Sequence, residues 1–463
     1  MKTKKYLTIL IAGAMSVAMF AGCSSGNLKD NGKVNITIGS WPYETDKNFS
    51  EAYAKRLEEF NKQYPDVEVV TDTYHYDTKT YTMKASANQL PTIYITPYTE
   101  FSKIINAGYA ADLTDVMKKR GLVDAINPKL IEIVTDDEGR IRALPTSSYV
   151  QGLTINKSLF KQAGLVNGDG SIKLPQTYEE LAEFAKKKKK KTGKAGFAMA
   201  TTNNMGGWHF MNIAWSYGVE FMKQDENGKW IATFNSPEAA KALQLIKDLK
   251  WKYNALPDIS VIDNDELIKL YALNQAAMII SQDPGSATRK YGMNVDDVAL
   301  ARLPGGPAGR YAQMGGEIRI FNANANEDQI EACFDWMKLQ GFDVVTEYDD
   351  ATKKMMQYNF ETELKNNSII TGKKALSVWT NEEKSKLDSE IVQPYINVDL
   401  DDFNDYYNME DITIKAEEPM CCQELYSVLD GCIQEVITNK NADITSLLEK
   451  ANNDFQVNYL DKE

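Results

Sequence analysis

The sequence predicts an α/β fold divided among more than one domain. Three observations lead there. From Val34 onward, short alternating apolar stretches are interleaved with longer stretches of helical spacing. The same order restarts after Leu144-Pro145. Finally, 463 residues exceed what one hydrophobic core usually organises, since domains mostly run to about 100–200 residues. Strands and helices in this alternation imply a largely parallel sheet covered on both faces.

The first element is not part of that fold. Lys2, Lys4 and Lys5 precede an apolar run from Tyr6 to Phe20 that ends in Ala21 and Gly22. The run is shorter than the ~20 apolar residues that span a bilayer, so 1–22 reads as a secretory signal. Phe20-Ala21-Gly22-Cys23 resembles a bacterial lipobox, with Phe20 where Leu is usual, and makes Cys23 the expected lipidation site. The polar stretch 23–33 is the expected flexible tether. The protein is expected on the extracellular face of the cytoplasmic membrane, held by its lipid.

Val34, Ile36 and Ile38 alternate with polar residues as a strand does. A helix follows from about Phe49 to Tyr64, with Tyr53, Leu57, Phe60 and Tyr64 on one face and Asn48 or Ser50 as its cap. Pro65 stops it, Val67 to Val70 begin a second strand, and Ile93 to Ile95 form a third. After Pro145, Thr177 to Glu180 is a capping box opening a helix that ends in the lysines 186–191. Cations at a helix C-terminus are favoured by its dipole, so this run reads as a solvated helix end. Ser236-Pro237-Glu238 starts a helix whose Ala239, Ala242, Leu243, Ile246 and Leu249 form one apolar stripe. Pro304 to Pro307 marks a turn. The tail is helical, with Leu425, Val428, Leu429, Cys432, Ile433 and Val436 at helical spacing.

Composition narrows the function. The net charge is −13, and loss of the three signal lysines makes the mature chain more acidic still. That balance argues against nucleic acid as a partner. Two histidines and no CxxC pair leave little for a metal site, and no metal or other cofactor is expected. Cys333, Cys421, Cys422 and Cys432 read mainly as small core residues, with a disulfide between two of them left open. GxSxG, P-loop and HExxH patterns are missing, which leaves a carbohydrate-active enzyme acting through paired carboxylates as the enzymatic alternative. No enzyme is expected.

A series of collinear segments carries a family resemblance: Leu57 to Val69, Leu90-Pro91-Thr92-Ile93-Tyr94, Ala107 to Thr114, Gly139 to Pro145, Gly152 to Phe160, Pro175 to Glu180, Phe234 to Ala239, Gln275 to Met278 and Leu303 to Pro307. In these the sequence resembles the family 1 extracellular solute-binding proteins, the group that includes maltose-binding protein and many sugar-binding lipoproteins of Gram-positive bacteria. Thr92 departs from the family's usual Leu-Pro-Asp. The resemblance implies a two-lobed periplasmic-binding-protein fold, type II-like, with discontinuous lobes and a ligand cleft between them. Lobe one would comprise 34–144 and 294–339, and lobe two 145–293 and 340–463. It further implies a monomer that captures a carbohydrate, an oligosaccharide above all, and hands it to two ABC permease subunits driven by a cytoplasmic ATPase. Polyamines or other small solutes are the alternative cargo.

Candidate ligand residues follow the strands. An aromatic face packs on the C–H face of a sugar ring, while carboxylates and amides take its hydroxyls. Trp41, Tyr43 and Glu44 come directly after the first strand, and Thr96 and Tyr98 after the third. Tyr149 and Gln151 lie near the expected lobe crossing. Asn203, Asn204 and Trp208 belong to a loop of the second lobe, where packing of Trp208 under the next helix is the competing reading. Family members often carry an aromatic after the segment similar to 277–280; here only Gln282 and Asp283 are offered. Gly315, Gly316 and Glu317 present backbone N–H groups and a carboxylate, and Trp379 and Tyr395 are the last candidates, with core packing the competing reading for each.

Overall fold

The computed structural model describes residues 32–77 and 79–462. The signal and Cys23 lie outside the described residues, as does the tether up to residue 31. The strands are β1 (Val34–Ile38), β2 (Val67–Thr71), β3 (Ile93–Pro97), β4 (Ala143–Val150), β5 (Gly152–Asn156), β6 (Met222–Gln224), β7 (Trp230–Ala232), β8 (Met278–Ile280), β9 (Val298–Arg302), β10 (Tyr311–Phe321) and β11 (Thr413–Lys415).

Two α/β bodies result. In the first, β1 pairs in parallel with β2 and β3, with Val34 opposite Val67 and Ile38 opposite both Thr71 and Ile93. The helix Lys47–Gln63 supplies the crossover that parallel neighbours need. β10 then runs antiparallel to both β3 and β4. In the second body β5 lies between β8 and β9, antiparallel to both. The first sheet is therefore mixed and the second antiparallel, not largely parallel. Alternation marks a strand but carries no direction, and β10 returns from the second body against the sense of β3.

Each body has its own core. Ile36, Ile38, Ile93, Tyr94, Ile318 and Ile320 pack with Phe334 and Trp336 of the helix Glu327–Lys338. Leu153, Ile155, Phe160, Phe210, Trp215, Ile246, Leu425 and Ile433 form the larger core of the second body. Full burial of such a side chain stabilises by ~1.5–3 kcal/mol. β4 and β10 span both cores: Leu144 and Ile318 belong to the first, Val150 and Ala312 to the second. These two strands join the bodies.

The chain beyond 340 divides. The helix Asp350–Lys365 packs on Lys47–Gln63 of the first body. There Lys55 Nζ lies 3.8 Å over the Tyr358 ring and Arg56 Nη2 donates to Asn359 Oδ1 at 3.1 Å. The helices Cys422–Thr438 and Ile444–Asn458 join the second core. Packing thus departs from the expected assignment of 340–463 as a whole to lobe two; a hydrophobic face does not encode which of two cores it will meet.

Local signals fared unevenly. Ser236 caps Pro237–Trp251 by accepting from Ala239 N at 3.1 Å, and all five stripe residues are buried. Thr177 accepts from Glu180 N at 3.1 Å, but Glu180 turns to Gln176 N, so the box is half made. Neither Asn48 nor Ser50 caps the first helix; Ser50 Oγ bonds Tyr43 O and Asn48 bonds Asn366. Within the lysine run, Lys188 is fully buried and donates to Ala195 O at 2.9 Å. The solvated reading fails for that residue because Gly196 packs onto the helix backbone at Ala185 and brings the neighbouring carbonyl over it. Among the described residues Cys333, Cys421, Cys422 and Cys432 form no disulfide.

Candidate ligand cleft

The site is built where β4 and β10 pass between the bodies. Tyr149 lies opposite Gly315, Ser148 opposite Gly316 and Ser147 opposite Glu317, with a register shift after Glu317. Both glycines are required by close approach. A Cβ on Gly315 would sit 2.5 Å from the Tyr149 hydroxyl, and one on Gly316 only 2.2 Å from Ser147 O and 2.7 Å from the Tyr98 ring. Gly316 also holds φ 155°, which side-chain-bearing residues rarely adopt. Two tyrosine rings can therefore come close against the strand.

The first body adds the end of β3 and the turn after it. Thr96 is 1% exposed and its hydroxyl has no partner; the Tyr98 hydroxyl is buried and also without one. Glu100, 5% exposed, accepts from the Tyr76 hydroxyl. The second body adds Trp208, Glu417 and Tyr426. Gly207 permits this: a Cβ there would lie 2.4 Å from Tyr426 O, so the helices Met205–Ser216 and Cys422–Thr438 cross in near contact. Asp430 fastens the crossing by accepting from Asn204 N at 2.8 Å and Gly207 N at 2.7 Å.

A polar chain runs from the crossing strands into this body. Gln313 donates to the Tyr426 hydroxyl at 2.6 Å, which donates to Glu417 Oε1 at 2.7 Å. The Trp208 side chain also bonds Glu417. Burial pushes the Glu417 carboxyl up to about 7, the two hydrogen bonds oppose that, and the charge of Glu100 across the cleft adds to it. Burial likewise raises the Tyr149 hydroxyl, with Glu417 and Glu317 contributing. Gln151 is fully buried and neither atom of its side-chain amide has a partner; the side-chain Oε1 of Gln313 is equally unpaired. Buried polar atoms left unpaired each cost about 1–3 kcal/mol, so the cleft holds unsatisfied hydrogen-bonding capacity.

Of the residues expected from sequence, Tyr98, Tyr149, Gly316, Glu317 and Thr96 meet here, with Gln151 beside them and Trp208 facing from the second body. Others do not join this group. Trp41 packs edge-on to Tyr53 at 5.1 Å and against Trp336 at 5.9 Å, in the helix layer of the first body. Tyr43 is 55% exposed and stacks on His75 at 5.1 Å, and Glu44 is exposed. The Asn204 amide is engaged by Gln423 at 3.2 Å. Asn203, like Asn204, takes left-handed backbone in the turn before that helix. Asp283 holds Arg289 at 2.6 Å and acts across on Lys374. Trp379 lines an adjoining cavity of about 690 Å³ with Ser147, Ser148, Glu363, Lys374 and Asp388, and Lys384 Nζ stands 4.5 Å from its ring centroid. Tyr395 stacks on Phe360 at 5.5 Å.

Sequence reasoning missed Glu100, Gln313, Glu417 and Tyr426. Glu100 directly precedes the apolar Phe101 helix and Glu417 lies in an irregular stretch, so neither carries a local signal of burial.

Residues 41–341 match the family described as bacterial extracellular solute-binding protein. A binding protein of Brucella abortus (strain 2308) is 21% identical over 346 residues, covering 73% of this chain and 78% of that one. Among solved structures, maltose-bound MalE3 of T. maritima is similar with a TM-score of 0.63 at 21% identity, over 91% of this chain and 99% of that one. UgpB from Mycobacterium tuberculosis, in complex with glycerophosphocholine, has a TM-score of 0.67 at 16% identity, over 92% and 98%. The fold is thus the two-lobed α/β architecture of periplasmic sugar-binding proteins, with open sheets. No helix among the described residues is long and apolar enough to cross a membrane. With the match running from the turn after β1 through the helix that follows β10, the chain belongs to the bacterial extracellular solute-binding protein family.

Proposed function

We propose that this protein is the lipid-anchored receptor of an ABC importer, capturing a carbohydrate, an oligosaccharide above all, between its two lobes. The observation that carries this reading is the joint construction of the cleft. Both bodies contribute rings to the cleft (Tyr98, Tyr149, Trp208), and buried polar atoms on Thr96, Gln151 and Gln313 have no partner. Aromatic faces and unpaired amides and hydroxyls are what the two sides of a sugar ring satisfy. Maltose in the T. maritima relative agrees with this class of cargo.

Ligand contacts on both lobes would favour the closed form, and a ligand shifts such an equilibrium only by its differential affinity for it. The permease pair and its ATPase would supply the work, while the acyl chain on Cys23 keeps the receptor at the membrane. No bond is made or broken in this scheme. A thermal-shift and calorimetric screen against oligosaccharides, monosaccharides and polyamines tests it. One sugar series should stabilise the fold by ~2.7 kcal/mol at a hundred times its Kd, and Trp208→Ala should remove most of that gain. Polyamines alone binding, or hydrolysis of the glycan during titration, would sink the reading.

A further inference from the structure

The cleft is unevenly charged. Glu417 from the second body feels the charge of Glu100 from the first, and Glu317 adds to Glu417 in acting on Tyr149. Among the described residues, the groups that act on Glu417 and Tyr149 include carboxylates and no lysine or arginine. The carboxylates are held in place: Tyr76 bonds Glu100, while Tyr426 and Trp208 bond Glu417. These bonds are made with neutral donors, which orient the acids without cancelling their charge.

A second observation points to a ligand at the same place. Gln151 N donates to Gln313 O at 2.8 Å, so the two side chains are cross-strand neighbours, and Gln313 reaches through Tyr426 to Glu417. The Gln151 amide is fully buried beside this chain with both polar atoms unpaired. An amide in that position has donor and acceptor capacity to spare for a bound group, and the carboxylates near it have charge to spare.

Closing two lobes that each present a carboxylate onto a neutral ligand brings like charges together in a drying site. Closing them onto a cation removes that repulsion, and ring faces attract a cation further. We propose that the cargo carries a protonated amine seated between Glu417 and Glu100 and bordered by Trp208, Tyr149 and Tyr76: an amino sugar. The amine belongs to this inference; the sugar ring that presents it rests on the carbohydrate reading above.

The test is calorimetry of the full chain near neutral pH with ligand pairs that differ only in amine for hydroxyl. The probes are glucosamine with glucose, galactosamine with galactose, and a β-1,4-linked glucosamine disaccharide with cellobiose; spermidine is the amine without a sugar. The amine of at least one pair should bind about tenfold or more tighter than its twin, the usual gain of a charged over a neutral hydrogen bond. Glu417→Gln and Glu100→Gln should each draw that ratio toward one. Neutral sugars binding as tightly as their amines in every pair would overturn the inference and leave the carbohydrate reading standing. Spermidine binding where no sugar does would overturn both. A ratio that survives both glutamine variants would overturn the placement of the amine. The pairwise comparison is made on the unaltered protein, so it decides even where a variant folds poorly.

Discussion

Replacing Glu417 by glutamine should make this protein more stable, and by an amount that depends on pH. The Glu417 carboxyl is raised from 4.5 to about 7, first by burial and then by the charge of Glu100, against the bonds from Tyr426 and Trp208. A carboxyl whose folded value is raised holds its proton more tightly in the folded chain than in the unfolded one. Its contribution to stability is full below the unfolded value and is lost as pH rises through the folded one. Each unit of difference corresponds to about 1.36 kcal/mol, so ionising Glu417 costs the folded state up to ~3 kcal/mol. Glutamine keeps an oxygen for the Tyr426 and Trp208 donors and carries no charge. Urea denaturation of both proteins between about pH 4 and about pH 8 should show no gap at the acid end. The gap should open in favour of Glu417→Gln across the interval from 4.5 to about 7. A gap that stays constant with pH would refute the reasoning, because it would mean that Glu417 titrates alike in both states.

Other expectations follow from the same structure. Gly316→Ala forces a Cβ to 2.2 Å from Ser147 O at a φ of 155°, and should destabilise by about 2–4 kcal/mol in denaturant unfolding; a change below about 0.5 kcal/mol would contradict the close approach. Lys188 is fully buried, and burial lowers its ammonium from 10.5 to about 7. With a depressed folded value the lysine costs stability while protonated and recovers it as pH rises from about 7 toward 10.5. Lys188→Met should therefore be more stable near neutral pH by about 2–4 kcal/mol, with the advantage shrinking in alkaline urea titrations. Asp388→Ala removes both 2.8 Å contacts to Lys384, a side chain 1% exposed. The expected loss is about 2 kcal/mol, below the full figure for a buried pair because Asp388 keeps some solvent. Lys384 Nζ also donates to the Tyr348 hydroxyl; unfolding that is indistinguishable from the parent would show that this bond suffices for Lys384.

Local units were legible in the order of the residues. Helical spacing and the Ser236-Pro237 start placed the helix Pro237–Trp251 and its buried stripe, because capping and amphipathicity act over neighbouring turns. Position at the end of a strand pointed to Thr96 and Tyr98, and position near the expected lobe crossing pointed to Tyr149 and Gln151, since strand ends and crossings deliver side chains to a cleft whatever the partner strands are. Collinear motifs carried the two-lobed architecture. What those units meet follows from how the two bodies pack. Trp41 follows a strand as Tyr98 does, yet Ser40 takes a left-handed turn and the indole packs on Tyr53 and Trp336. Lys188 continues the buried face of Leu181 and Ala185, and the approach of Gly196 to Ala185 covers it. Glu100 and Glu417 are distant in the chain, and the charge of Glu100 comes to act on Glu417 because β4 and β10 bridge two cores and Gly207 lets two helices touch. Burial and charge proximity are properties of pairs of surfaces, and a periodicity read along one chain segment describes only one surface of each pair.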